Sequence, residues 1–287
     1  MKPFRQIVVL LALSLAMGII SALMGPAATA LGIDITSTAN LMAVQAMSQL
    51  LMFVVPVVLV IAIYKLPVKS LLQLDFTASK WSDALAATII MLLLVPACEA
   101  LTQLNDAWHW GGPLAQLEAE LRYVGEASQQ ILDQMLKRES TGALVANLIV
   151  IALMPALCEE IFFRGGLQQL TTRWLGNRHW AILITAAIFS IAHGDLFAFL
   201  PRFALGIALG YLFCTSGSIL ASASAHFANN ALIVVLNYLN ARGLISLNPE
   251  QPIEFGVIIT ILCTVGALAL FFARNGQKIL TKPTIKC

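Results

Sequence analysis

Charge is what this chain lacks. Of its 287 residues, 11% are charged and 59% are hydrophobic, where a water-soluble domain carries about 25% charged residues. So little polar surface excludes an ordinary soluble fold and makes the bilayer the expected solvent. The net charge is +2, and no basic run longer than a pair occurs, so nothing points to a nucleic-acid partner. No low-complexity tract and no HExxH or CxxC metal pair is present. The cysteines (Cys98, Cys158, Cys214, Cys263 and Cys287) are odd in number and sit mostly in apolar runs, which suggests no disulfide framework. The terminal Cys287 lacks the three following residues of a prenylation box.

What is present is a series of long apolar runs. A spanning helix needs about 20 mostly apolar residues, and lipid requires that each span satisfy its own backbone hydrogen bonds. The expected fold is therefore all-α: a polytopic membrane protein of about eight transmembrane helices. The spans fall roughly at 6–24, 41–64, 83–101, 142–163, 179–194, 201–215, 218–239 and 255–273, within one transmembrane domain over 1–287. Lys2 and Arg5, the apolar run Ile7 to Met24 and Ala28-Thr29-Ala30 resemble a signal peptide. The run exceeds the usual signal core of about 7–15 residues, so a retained first helix is expected. The long 102–140 connection repeats apolar residues at spacings of three and four: Leu114, Leu117, Leu121, Val124, Ile131 and Met135. Glu118, Glu120, Arg122, Glu126 and Asp133 take the other side. This pattern predicts an amphipathic helix, lying in the interface or covering a cavity.

With eight spans, Lys2, Arg5, Lys65, Lys69, Lys80, Arg173, Arg178, Arg274, Lys278, Lys282 and Lys286 share one side. Arg122, Lys137, Arg138 and Arg242 share the other. The positive-inside bias then predicts an integral, multi-pass protein of the cell (inner) membrane with both termini cytoplasmic.

Three apolar segments carry polar residues that need an explanation. Glu159 and Glu160 are adjacent, and a charge at the bilayer centre costs about 2.5–3.5 kcal/mol on insertion scales. Glu160 and Arg164 are one turn apart and can neutralise each other. Glu159 points about 100° away and has no partner in its own segment, which leaves it free to act as a general base. Pro155, four residues earlier, predicts a kink that aims the glutamates off the axis. His193 closes the next apolar run. His226 and Asn230 are one turn apart on a later span rich in small residues and can both donate hydrogen bonds to an oxyanion. Each segment alone reads equally well as helix-end solvation or interhelical packing. Together they supply base, positioned water and oxyanion donors.

These segments resemble the CPBP family of intramembrane glutamic proteases, which includes CAAX proteases and bacteriocin-processing (ABI) proteins. Glu159-Glu160-x-x-x-Arg164, Phe189-x-x-x-His193 and His226-x-x-x-Asn230 stand in the order of the family's motifs. Gly206-x-x-x-Gly210 and Ser216-Gly217-Ser218 resemble its last motif region. The likeness covers about 142–240. It implies an intramembrane endopeptidase with Glu159 as base, His193 holding the water, His226 and Asn230 as oxyanion hole, and Glu160 with Arg164 as a supporting pair. It implies no cofactor and no metal. The expected partners are membrane lipids and a peptide or protein substrate, possibly lipidated. A zinc-dependent peptidase built on a glutamate and two histidines, a non-catalytic membrane immunity or binding protein and, more weakly, a transporter stay as alternatives.

With uniform spans, Glu159 falls near one face of the membrane and His193 near the other. The site closes only if the fourth helix continues past Arg164 towards Leu170, which puts Glu159 at its centre.

Overall fold

The computed structural model describes residues 2–34, 37–137, 139–246 and 255–280. Arg138, Lys282 and Lys286 of the loop charge count lie outside the described residues. Among the described residues the regular structure is helical throughout. Helix α1 spans Lys2–Ala30, α2 Thr38–Tyr64 and α3 Ala78–Asp106. The amphipathic helix α4 spans Ala115–Leu136 and α5 Thr141–Leu175. Helices α6 (Arg178–Ala192), α7 (Phe199–Ser216), α8 (Ile219–Ala241) and α9 (Val257–Leu280) follow. Seven helices are long and apolar enough to cross a membrane, and α6, of 15 residues, is shorter. Each of the eight expected spans corresponds to a helix. The amphipathic helix also forms where its periodicity placed it.

Helix α5 decides where the site sits. It runs for 35 residues, about 52 Å at 1.5 Å per residue, with Glu159 near its middle, so the fourth helix does extend past Arg164 to Leu175. The boundary at 163 was too short because Arg164, Gly165 and Gly166 read as the end of an apolar run. Gly166 instead packs against α1 and α2, where an added Cβ would lie 3.3 Å from Leu10 and Val57. Two π turns interrupt α5, at Leu148–Leu153 and Ile161–Gln168, and a third interrupts α2 at Leu50–Val54. Two of the three end just before a proline, Pro56 or Pro155. A proline ring clashes with the carbonyl four residues back, and a wider turn at that point relieves the clash while redirecting the side chains beyond it.

The core around α5 is aromatic. Phe53 packs on Phe162 and Phe163 at 5.5 and 5.7 Å between ring centroids, and Phe163 meets Phe189 at 5.0 Å. Leu10, Leu71, Leu167 and Leu170 complete this cluster. Helix α7 lies close against α6, since a Cβ on Gly206 would sit 3.0 Å from that of Ala186. The bare backbone there also serves as an acceptor surface. Arg164 and Gln168, one turn apart on α5, donate to the carbonyls of Gly206 and Gly210, each at 3.1 Å. The Ser216-Gly217-Ser218 turn, with Gly217 at φ 64°, is held by Lys80, which donates to the Ser216 carbonyl, and by Ser218, which donates to the Asp75 carbonyl at 2.8 Å. Cys214 is disulfide-bonded, where the sequence suggested no pairing, and Cys98, Cys158 and Cys263 are free.

Candidate active site

The buried end of the site is an ion-pair cluster. Glu160 is fully buried, and its Oε1 lies 2.9 Å from Arg164 Nη1. That pairing was expected from the four-residue spacing. A second contact was not: the same oxygen lies 3.2 Å from His226 Nδ1. An ionised carboxylate only accepts, so Nδ1 carries the proton and donates. Glu160 therefore does more than neutralise Arg164. It fixes the ring of His226 and sends Nε2 towards the other glutamate, where Glu159 Oε2 stands 3.9 Å away. For Nε2 to donate as well, the ring must be doubly protonated.

Glu159 is buried, 5% exposed, at the middle of the longest helix. Its Oε1 accepts from Gln49 Nε2 at 3.3 Å, while Oε2 has no hydrogen-bond partner among the described residues. One oxygen is thus anchored, and the other is left for a small polar molecule.

His193 stands at the end of the short helix α6. At about 22 Å that helix is shorter than a hydrocarbon core of about 30 Å. His193 caps it, Gly194 turns at φ 73°, and α7 starts back at Phe199. Nδ1 of His193 donates to the Phe189 carbonyl at 2.8 Å, which leaves Nε2 as an acceptor in the neutral ring. Phe189 lies between the two histidines, 4.7 Å from the His193 ring and 5.9 Å from that of His226. Glu159 and His193 share no direct hydrogen bond among the described residues.

Asn230 lies one turn beyond His226 on α8. Its Oδ1 accepts from Asn229 Nδ2 at 3.3 Å, so its own amide N–H groups stay available to donate. Asn229 thereby holds its neighbour in the chain. The fold thus gathers Glu159, Glu160, Arg164 and His226 into direct contact, places His193 against the same phenylalanine, and leaves Asn230 a turn away.

A cleft of about 710 Å³ reaches the site at His193 and is also lined by Gln45, Arg122, Ser128, Pro155 and Arg202 among others. One of its walls is α4, which presents its polar side to the cleft. Leu114, Leu117 and Val124 of the apolar stripe are exposed and outside the cleft lining, whereas Ile131 and Met135 line it. Gly125 brings α4 against Asp195. Arg122 stacks on Phe197 at 3.8 Å and bonds Glu118 at 2.9 Å. Both sequence readings of this segment therefore describe real features: its polar side covers the cavity, and its outward side is suited to the interface.

Gln49 and Gln168 were missed. The available signal was Gln45 and Gln49, one turn apart inside an apolar run, and Gln168 one turn beyond Arg164. Polar residues in membrane helices are more often interhelical glue than machinery, and nothing in the spacing alone separates the two. Among the described residues, no three of His, Cys, Asp or Glu converge as a metal-holding group.

Residues 141–232 match the family model described as type II CAAX prenyl endopeptidase Rce1-like. This stretch is similar to the CAAX-protease family. It contains all six of Glu159, Glu160, Arg164, His193, His226 and Asn230, along with the Gly206 and Gly210 contact. The long apolar helices are those of an integral membrane protein. Gln49 and the cleft wall formed by α4 lie outside the matched stretch. No curated protein and no solved structure matches the chain.

Proposed function

We propose that the chain is a glutamate-dependent intramembrane endopeptidase. The observation that supports this best is the state of Glu159: buried mid-helix, held by one oxygen, with the other unpartnered and 3.9 Å from His226 Nε2. A water held by His193 Nε2 gives its proton to Glu159 Oε2 as its oxygen attacks the scissile carbonyl. His226, charged and held by Glu160, and the Asn230 amide donate to the developing oxyanion. One such donor is worth about 10²–10³ in kcat. As the C–N bond breaks, the proton on Glu159 passes to the leaving amine. The substrate is a membrane-associated peptide or protein. A prenylated C-terminal segment is the form that the family description suggests, and the peptide enters through the cleft between α4 and α5. The proposed setting is the cell (inner) membrane with both termini cytoplasmic, no nucleic-acid partner and no cofactor.

The test compares membrane-fraction peptides from cells carrying wild type or Glu159→Ala, and then assays the purified proteins on the peptides found. Loss of cleavage by more than about 10³-fold is expected for the variant, in keeping with a general base that also directs the nucleophile. Cleavage at the wild-type rate, or no difference between the membrane fractions, sinks the catalytic reading and leaves the non-catalytic binding protein. Inactivation by a chelator with restoration by zinc turns the mechanism to the zinc rival.

A further inference from the structure

Gln49 is the one side chain from the first four helices that hydrogen-bonds a residue of the proposed machinery, among the bonds of the described residues. It stands on α2, more than ninety residues before the family-matched stretch, and is 8% exposed. Its Nε2 donates to Glu159 Oε1 at 3.3 Å. Gln49 is also the last residue of the regular α-helical stretch Thr38–Gln49, followed at once by the π turn Leu50–Val54. A π turn changes the rotation of the residues before it relative to those after it. Within the turn, Phe53 packs on Phe162 and Phe163 of α5. The amide is therefore held to the same helix that carries Glu159, through packing one turn away, and its aim is set by helix geometry and not by a loop.

A neutral amide suits this place. A lysine or arginine here would pair fully with Glu159 and neutralise the base. Gln49 takes one carboxylate oxygen and leaves the carboxylate its charge. With Oε1 engaged, rotation of the carboxylate is restrained, and Oε2 stays directed at the space bounded by His226 Nε2.

We propose that Gln49 is a positioning residue for the hydrolytic reaction, orienting the Glu159 carboxylate so that Oε2 faces the attacking water. This rests on Glu159 being the base, and the experiment separates the two claims. Gln49→Met keeps about the length and volume of the side chain and removes the donor to Glu159 Oε1 together with the unpaired Gln49 Oε1. On a peptide that wild type cleaves and Glu159→Ala does not, Gln49→Met is expected to lower kcat by about 10- to 100-fold, the scale of a misaligned reacting group. KM and the thermal midpoint in detergent are expected to stay at wild-type values. Gln49→Glu, of the same length but with an acceptor facing Glu159, is expected to fall further. A kcat for Gln49→Met at the wild-type level overturns the inference while leaving Glu159 as base. A fall that tracks a lower thermal midpoint or a raised KM overturns it too, because it marks Gln49 as a packing residue. Full activity in Glu159→Ala overturns the reading beneath both.

Discussion

Glu159 and Glu160 are chain neighbours with opposite circumstances, and the difference is one of helix rotation. Glu160 faces α8 and the Arg164 turn, where two cationic or donor groups converge on one of its oxygens. Glu159 faces α2, where it meets a neutral amide. The buried Glu160–Arg164 pair is expected to show the asymmetry of such pairs. Arg164→Leu leaves an uncompensated buried carboxylate and also removes the donor to the Gly206 carbonyl, so a loss of about 3–5 kcal/mol is expected. The double variant Glu160→Leu/Arg164→Leu is expected to regain much of the thermal midpoint without regaining activity, because His226 then loses the carboxylate that holds its Nδ1. Thermal unfolding in detergent with a parallel peptidase assay reads both effects. A double variant no more stable than Arg164→Leu would show that the pair is not the source of the loss.

Among the elements, α4 makes a separable prediction because its anchor titrates outside the membrane. Glu118 accepts from the Trp110 backbone N–H at 2.8 Å, from His109 and from Arg122. These bonds, the Trp110 N–H first, hold its carboxyl down from an ordinary 4.5 to about 2. A depressed carboxylate contributes to stability above its unfolded value and loses that contribution as pH falls through the folded one. The docking of α4 on the 106–111 segment is therefore expected to persist to about pH 4 and to fade towards pH 2. Hydrogen exchange at Trp110 measures it, and Glu118→Gln should give fast exchange at neutral pH. Fading that begins above about pH 5 would place the anchor elsewhere. The π turns are a second element-scale feature. They lie in α2 and α5, the two helices that bring Gln49 and Glu159 together, and each changes which residues face the cleft.

At the scale of the whole molecule, the proposed orientation follows from the loop charges. In a background without native cysteines, Ser70→Cys is expected to label from the cytoplasm and Glu120→Cys from the opposite side with a membrane-impermeant thiol reagent. The reverse pattern would invert the topology and place the α4 cleft on the cytoplasmic side.

The sequence by itself determined the membrane class and the helices, and it named six candidate site residues. Apolar run length is a local property, and motif spacing reports which side chains share a helix face. It also forced the extension of α5, since Glu159 and His193 could not otherwise meet. Only the tertiary structure decided the rest. That α8 brings His226 onto Glu160 and that Gln49 reaches Glu159 from α2 both depend on how helices distant in the chain pack and rotate. Chain spacing carries no record of a partner 110 residues away, and a π turn, which shifts a helix face by a single residue, leaves no periodicity to read.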